Sequence, residues 1–332
     1  MESDQTISVI IPHFNNNYNL EKLILSIITQ KEFTTNDEII VIDDNSKNKP
    51  FIENNSNVFL FFQNKNRGPS AARNIGINKS RKKILFFLDS DTILLNGSIK
   101  IIKEHYSKVN CEKILNGSCH YEPLENNWFT KYKGINEYFW HMEVGKKNGF
   151  QILNTRVGCI EKKIISERNL KFDENIKKAS VEDYKFSIRL DDLKKKTNQN
   201  FQVKHRYPSF FKTTSNYFSR SADWVELLIE KNLKFNAGGG TSKKNALSSV
   251  ISFLIILFFL LGMPKELTII LIFSFMVINI NVIKFSIIKY GVFYSIFFII
   301  YHLYLNLIIF FGAINGLIRI IFNLRKIFYN IF

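Results

Sequence analysis

Cysteine is scarce: the 332 residues hold three, Cys111, Cys119 and Cys159, and none forms a Cys-x-x-Cys pair. So odd and sparse a set argues against a disulfide framework and leaves reduced, buried thiols. No secretory leader is expected in MESDQTISVIIP, which is acidic and polar ahead of a short apolar run and lacks a basic n-region and a long h-region. The front of the chain is therefore expected to stay in the cytosol. No Arg-rich run or zinc-finger spacing accompanies the net charge of +16, so nucleic acid is not the expected partner. Acidic residues all but vanish at the end. Residues 246–332 hold one, Glu266, against six Lys or Arg; of 45 basic and 29 acidic residues, 39 and 28 precede them, a net +11. The front reads as a basic globular region and the back as apolar and nearly uncharged.

What is present at the front is alternation. Short apolar runs rich in β-branched and aromatic residues fall at 7–11 (ISVII), 38–42 (EIIVI), 57–62 (NVFLFF) and 83–88 (KILFFL). They read as buried strands. Leu20, Leu23, Ile24, Ile27 and Ile28 recur at helical spacing between the first two, and a Gly-Pro start opens a second helix before the fourth. Strand and helix in alternation predict an α/β fold with a mainly parallel sheet, whose ligands bind beyond the carboxyl ends of the strands. Asp43 and Asp44 follow the second strand, and Asp89 and Asp91 the fourth. Residues 126–148 carry aromatics at helical spacing, which suits either a core helix or one lying at a lipid interface.

The back half is organised by hydrophobic length. Ala237 to Lys244 reads as a Gly-rich linker, and uncharged runs then cover 245–264, 267–283 and 290–318. A helix needs about 20 residues to cross a bilayer, so the first suffices, the second is marginal and the third exceeds one span. The expected layout is a cytosolic domain over 1–236, a linker over 237–244 and a membrane domain over 245–332. Three helices, near 245–264, 267–283 and 290–312, precede a break at Gly312 or Gly316 and an interfacial helix carrying Arg319, Arg325 and Lys326. Lys243, Lys244, Lys284 and Lys289 place their loops in the cytoplasm by the positive-inside rule, making a multi-pass protein with a cytoplasmic catalytic domain.

Five blocks occur in a telling order: SVIIPHFN at 8–15, VIDDNS at 41–46, GPSAARNIGI at 68–77, FLDSD at 87–91 and FDENIKKASVEDYKFSIRL at 172–190. In these the chain resembles the family 2 glycosyltransferases, nucleotide-sugar enzymes with a GT-A type, Rossmann-like fold, over about residues 1–225. The resemblance implies an inverting transferase that uses a divalent cation, Mg²⁺ or Mn²⁺, and a nucleotide-diphosphate sugar donor. Asp91 would bind the metal directly, with Asp89 on the ribose or the metal's waters. Asp44 would accept a hydrogen bond from the nucleobase in a pocket lined by Pro12 and Phe14, Asp43 sharing that task, unless both only cap the turn. Arg73 would approach the diphosphate or make a surface salt bridge. Asp183 would take the acceptor's proton with Glu182 in support, and both acids also favour a helix N-terminus. His205, Arg220 and Trp224 would lie on the acceptor side or pack an interface.

These residue types fit the chemistry. Departure of a diphosphate develops negative charge, and a hard cation held by one or two carboxylates neutralises it. The apolar half suggests a membrane lipid as acceptor, a polyprenyl phosphate or a lipid-linked saccharide. A cell-surface polysaccharide, with the membrane part as anchor only, is the alternative; an inactive scaffold of the same fold would be expected to have lost Asp89, Asp91 or Asp183. The chain has no Q-x-x-R-W block, which argues against processive polymerisation.

Overall fold

The computed structural model describes residues 5–52, 56–146, 152–176, 180–231 and 242–329. They divide into two compact units, one of residues up to Glu125 plus Glu137–Arg206, the other Asn126–Asn136 plus Tyr207 onward.

The first unit is built on β1 (Ile7–His13), α1 (Asn17–Ile28), β2 (Glu38–Asp43), β3 (Val58–Phe62), α2 (Pro69–Lys79), β4 (Ile84–Leu88), β5 (Thr92–Leu94), α3 (Ser98–Tyr106) and β6 (Ile114–Cys119). It continues through the second half of α4 (Trp128–Lys146), then β7 (Val157–Glu161), α5 (Lys162–Glu167), α6 (Glu182–Ser187) and β8 (Lys195–His205). One eight-stranded sheet runs in the order β3-β2-β1-β4-β7-β6-β8-β5. The first four in that order are parallel, as the alternation predicts. The sheet as a whole is mixed, because β7 runs antiparallel to both β4 and β6, and β5 antiparallel to β8.

Continuous apolar runs form these strands because helices cover both faces. Ile7, Val9 and Ile11 point to one side, where they meet Leu20, Leu23 and Ile27 of α1 and Ile99 and Ile102 of α3. Ile10, between them, points to the other and packs with Ile77, Phe87, Phe172 and Phe186. The two-residue period thus assigns each strand residue to its core. Register places His13 opposite Asp43, so β1 and β2 end together at the edge where the acidic motifs begin.

The second unit holds the first half of α4, α7 (Phe210–Glu230), α8 (Lys243–Leu260), α9 (Lys265–Ile278) and α10 (Ile280–Tyr329). Two helices, Lys243–Leu260 and Ile280–Phe322, are long and apolar enough to cross a membrane. Helix α9, at 14 residues, is shorter than the 17-residue run that predicted it. The break expected at Gly312 or Gly316 falls at Gly291 instead, whose φ of 83° interrupts α10. Gly312 and Gly316 stay helical because they are contact points. A Cβ on Gly312 would stand 2.4 Å from the Phe218 carbonyl of α7, and one on Gly316 would stand 2.7 Å from that of Ala222. Small residues four apart let two helix backbones approach closely. Arg319, expected at headgroup level, lies 3.2 Å from Asp223 and 3.6 Å from Glu226 on α7. Of the expected linker, 237–241 lie outside the described residues, and α8 already begins at Lys243.

Several polar side chains buried in this unit pair with one another, as burial favours. Asn279 donates to Ser248 Oγ at 3.1 Å and to the Phe275 carbonyl, which leaves its Oδ1 as acceptor for His302 Nε2 at 3.1 Å. His302 Nδ1 therefore accepts from the Tyr132 hydroxyl at 3.0 Å. One chain of hydrogen bonds ties α8, α10 and the first half of α4 together.

Candidate active site

The carboxyl edge of the parallel strands carries the first acidic pair. Asp43 closes β2 with its carboxylate buried and turned onto Ser46, accepting from the hydroxyl at 2.5 Å and from the amide at 3.1 Å. His13 Nε2 stands 3.9 Å away. Asn45, with φ 64°, makes the turn between them. Asp44 reaches the other way: Oδ1 accepts from Gln63 Nε2 and the Arg67 amide, both at 2.8 Å, and Oδ2 from the Gly68 amide at 2.7 Å. It thereby fixes the loop that opens α2. Burial raises the Asp44 pKa, and the two amides only partly offset that. Pro12 sits beside Ile42 in the β1–β2 register, and Phe14 just beyond is 48% exposed.

Arg73 brings the later motifs together. It projects from α2, is almost wholly buried, and places Nη2 3.1 Å from Asp89 Oδ1 and Nη1 3.1 Å from Glu182 Oε1. The Phe172 ring lies under the guanidinium, 5.6 Å from its centroid. Burial alone would lower the Arg73 pKa, but Asp89 and Glu182 outweigh it and keep the group charged. Glu182 is also buried and accepts from the Ser180 amide through Oε2 at 2.7 Å. Asp183, next in α6, is half-buried and accepts from the Tyr184 amide at 2.9 Å. Residues 177–179 of this block lie outside the described residues.

Beyond Asp89 the charges continue in alternation. Arg156 Nε stands 3.8 Å from Asp89 Oδ2, and its Nη1 2.6 Å from Glu137 Oε2. Glu137 in turn lies 3.9 Å from His205 Nδ1, and His205 Nε2 lies 3.3 Å from Asp91 Oδ1. Burial raises the Asp89 pKa against the pull of Arg73 and Arg156. Asp91 goes the other way: burial works to raise its pKa, but the neighbouring imidazole of His205 prevails and lowers it. Asn16 Nδ2 donates to the Ser90 carbonyl at 3.1 Å, tying the loop after β1 to this turn.

His205, expected toward the acceptor, thus stands against Asp91. Arg220 and Trp224 lie on α7 in the second unit, lining a cavity of about 260 Å³ with Tyr217, Asn245 and Ile309. Glu137 and Arg156 carry no motif that marks them. Glu137 sits in a helix that reads as an aromatic stripe, and Arg156 precedes a strand with no flanking pattern.

Among the described residues, no three His, Cys, Asp or Glu side chains gather as a cage for a metal ion. A hard divalent cation needs no such cage when substrate phosphates complete its shell and one or two carboxylates hold it. Asp91 Oδ1 fits that role: it is buried and makes no hydrogen bond of good geometry, although His205 stands near.

Comparison with known proteins identifies the family. Residues 8–163 match the model of glycosyl transferase family 2. An uncharacterized glycosyltransferase of Haemophilus influenzae is 30% identical over 231 residues, which cover 66% of this chain and 85% of the relative. The chain belongs to glycosyltransferase family 2. It is a glycosyltransferase, and its fold is of the GT-A type. The GalNAc(5)-diNAcBac-PP-undecaprenol β-1,3-glucosyltransferase of Campylobacter jejuni is 35% identical over 105 residues, 30% of this chain and 33% of its own length. Among solved structures, the mannosyltransferase PcManGT of Pyrobaculum calidifontis, in complex with GDP-Man and Mn²⁺, superposes with a TM-score of 0.53 at 11% identity. It covers 94% of this chain and 86% of that one, a likeness of fold alone.

Proposed function

We propose that this enzyme is an inverting, divalent-cation-dependent transferase that moves a sugar from a nucleotide-diphosphate sugar to a membrane lipid or lipid-linked saccharide. The observation that carries the reading is the bridge made by Arg73, which holds Asp89 of the FLDSD turn and Glu182 of the Glu-Asp pair at one sheet edge. Donor-side and acceptor-side acids thereby share a site. The C. jejuni relative, whose name specifies an undecaprenol-linked substrate, supports a lipid acceptor.

In this reading Asp91 and Asp89 hold Mg²⁺ or Mn²⁺, which when bound neutralises the departing diphosphate. Asp44, Pro12 and Phe14 receive the nucleobase. Asp43 supports that pocket through its turn. Asp183 takes the proton of the acceptor hydroxyl as it attacks the anomeric carbon from the face opposite the nucleotide, and Glu182, fixed by Arg73, supports it. A single displacement of this kind inverts the anomeric configuration. Helices α8 and α10 attach the chain to the membrane, with residues 1–236 as the catalytic domain on the cytosolic side, where Lys243 and Lys244 precede the first span.

Purified full-length protein, incubated with a panel of labelled nucleotide sugars, Mn²⁺ and membrane lipids, should release nucleotide with one donor and carry label into the organic phase. Label found only in aqueous polymer would contradict the lipid acceptor and favour a polysaccharide.

A further inference from the structure

Asp89 faces a second basic side chain besides Arg73, Asp91 faces one of its own, and both of those side chains lead to the same residue. Arg156 stands at Asp89 Oδ2 and His205 at Asp91 Oδ1. Behind them, Oε2 of Glu137 lies 2.6 Å from Arg156 Nη1 and 3.9 Å from His205 Nδ1. We infer that Glu137 is the positioning residue of the Asp89–Asp91 pair, holding through Arg156 and His205 the two groups that orient those carboxylates. This rests on the reading of Asp89 and Asp91 as the divalent-cation site.

The placement is over-determined locally. His141, one turn further along α4, accepts a hydrogen bond from the Cys119 amide at 2.9 Å, which fixes the helix beside β6. Cys119 Sγ lies 3.7 Å from Glu137 Oε2 and 3.4 Å from Arg156 Nη1, so the ion pair is walled on its inner side. The Asp89 amide also donates to the Arg156 carbonyl at 3.3 Å, so main chain and side chain of Arg156 both register against Asp89. Glu137 touches neither carboxylate of the pair. It acts by position: without its charge, Arg156 is free to swing wholly onto Asp89, and His205 loses the carboxylate on its far ring nitrogen. Partners of this outer kind commonly change metal affinity by about ten- to a hundred-fold when removed.

The test uses full-length protein in detergent and Mn²⁺ alone, with free ion followed by electron paramagnetic resonance and folding by thermal unfolding. Wild type binds Mn²⁺, and Glu137→Gln, nearly isosteric, binds it about tenfold more weakly with an unfolding midpoint close to wild type. Arg156→Lys keeps the charge but not the planar fork that spans Glu137 and Asp89, and weakens binding in the same direction. If Glu137→Gln does not fold, Arg156→Lys decides alone. Mn²⁺ affinity unchanged in the folded variants overturns the role of Glu137 while leaving the cation site intact. A wild type that binds no Mn²⁺ overturns the cation site, and the inference with it.

Discussion

Arg73 and Asp89 are joined at 3.1 Å inside the sheet's carboxyl edge, and the opposite arm of the same guanidinium holds Glu182. One buried cation therefore serves two carboxylates from motifs about ninety residues apart in sequence. A planar guanidinium presents the two donors in a fixed geometry, which a flexible ammonium does not.

Replacing Arg73 by Gln leaves Glu182 buried without its cation. Breaking a buried pair in this way costs roughly 3 to 5 kcal/mol. Thermal unfolding of the full-length protein should show a clearly lowered midpoint, with Arg73→Lys between the two. Equal midpoints for all three would refute the bridge.

Asp183 and Asp91 should separate by kinetics. Asp183→Asn is expected to lower kcat by about a hundred- to ten-thousand-fold with donor affinity nearly unchanged, as loss of a general base does. Asp91→Asn should weaken donor and metal binding together. Near-normal kcat for Asp183→Asn would pass the role to Glu182.

Acid should weaken the first unit through a buried ring. Burial holds His141 far below the ordinary histidine value, at about 3, although Glu137 pulls it upward. In the unfolded chain the ring titrates near 6.5. Between those values only the unfolded chain takes the proton, so stability is full above about pH 6.5 and declines as pH falls toward 3. From pH 6.5 to 5 this ring accounts for a loss of roughly 2 kcal/mol. His13 and His105, also lowered chiefly by burial, act in the same direction. Chemical denaturation at pH 7.5, 6 and 5 should give a flatter dependence for His141→Gln, and parallel slopes would contradict it.

How much of this was legible beforehand follows from where the apolar residues lie. Strands β1, β2 and β4 are buried runs and β3 a half-buried but equally apolar one, so all four could be read directly. Strands β5, β6 and β8 could not: β5 has three residues, β6 carries Asn116, Gly117 and Ser118 in its middle, and β8, KKTNQNFQVKH, is mostly polar. They form strands because neighbours supply their hydrogen bonds, a tertiary effect that no local pattern reports. The same division holds in the site. Asp43, Asp44, Asp89, Asp91 and the Glu182–Asp183 pair stand in recognisable blocks, whereas Glu137 and Arg156 become meaningful only when α4 and the start of β7 meet. In the second unit, Gly312 and Gly316 looked like a break because glycine is a poor helix former. They are instead where α7 and α10 touch.

That contact predicts its own variant. Gly312→Val would drive a side chain into the Phe218 carbonyl and should destabilise the helical unit by about 1 to 3 kcal/mol, the range for overpacking. Thermal unfolding in detergent measures this, and no shift would mean that the helices part without cost.

The central claim, a cation-assisted sugar transfer at Asp89 and Asp91, meets its most direct test in nucleotide release by the full-length protein with its working donor. Mn²⁺ or Mg²⁺ should support turnover, excess EDTA should abolish it with recovery on adding metal back, and Asp91→Ala should remain inactive at any metal concentration. Full turnover in excess EDTA, or an Asp91→Ala variant as active as wild type, would contradict the account.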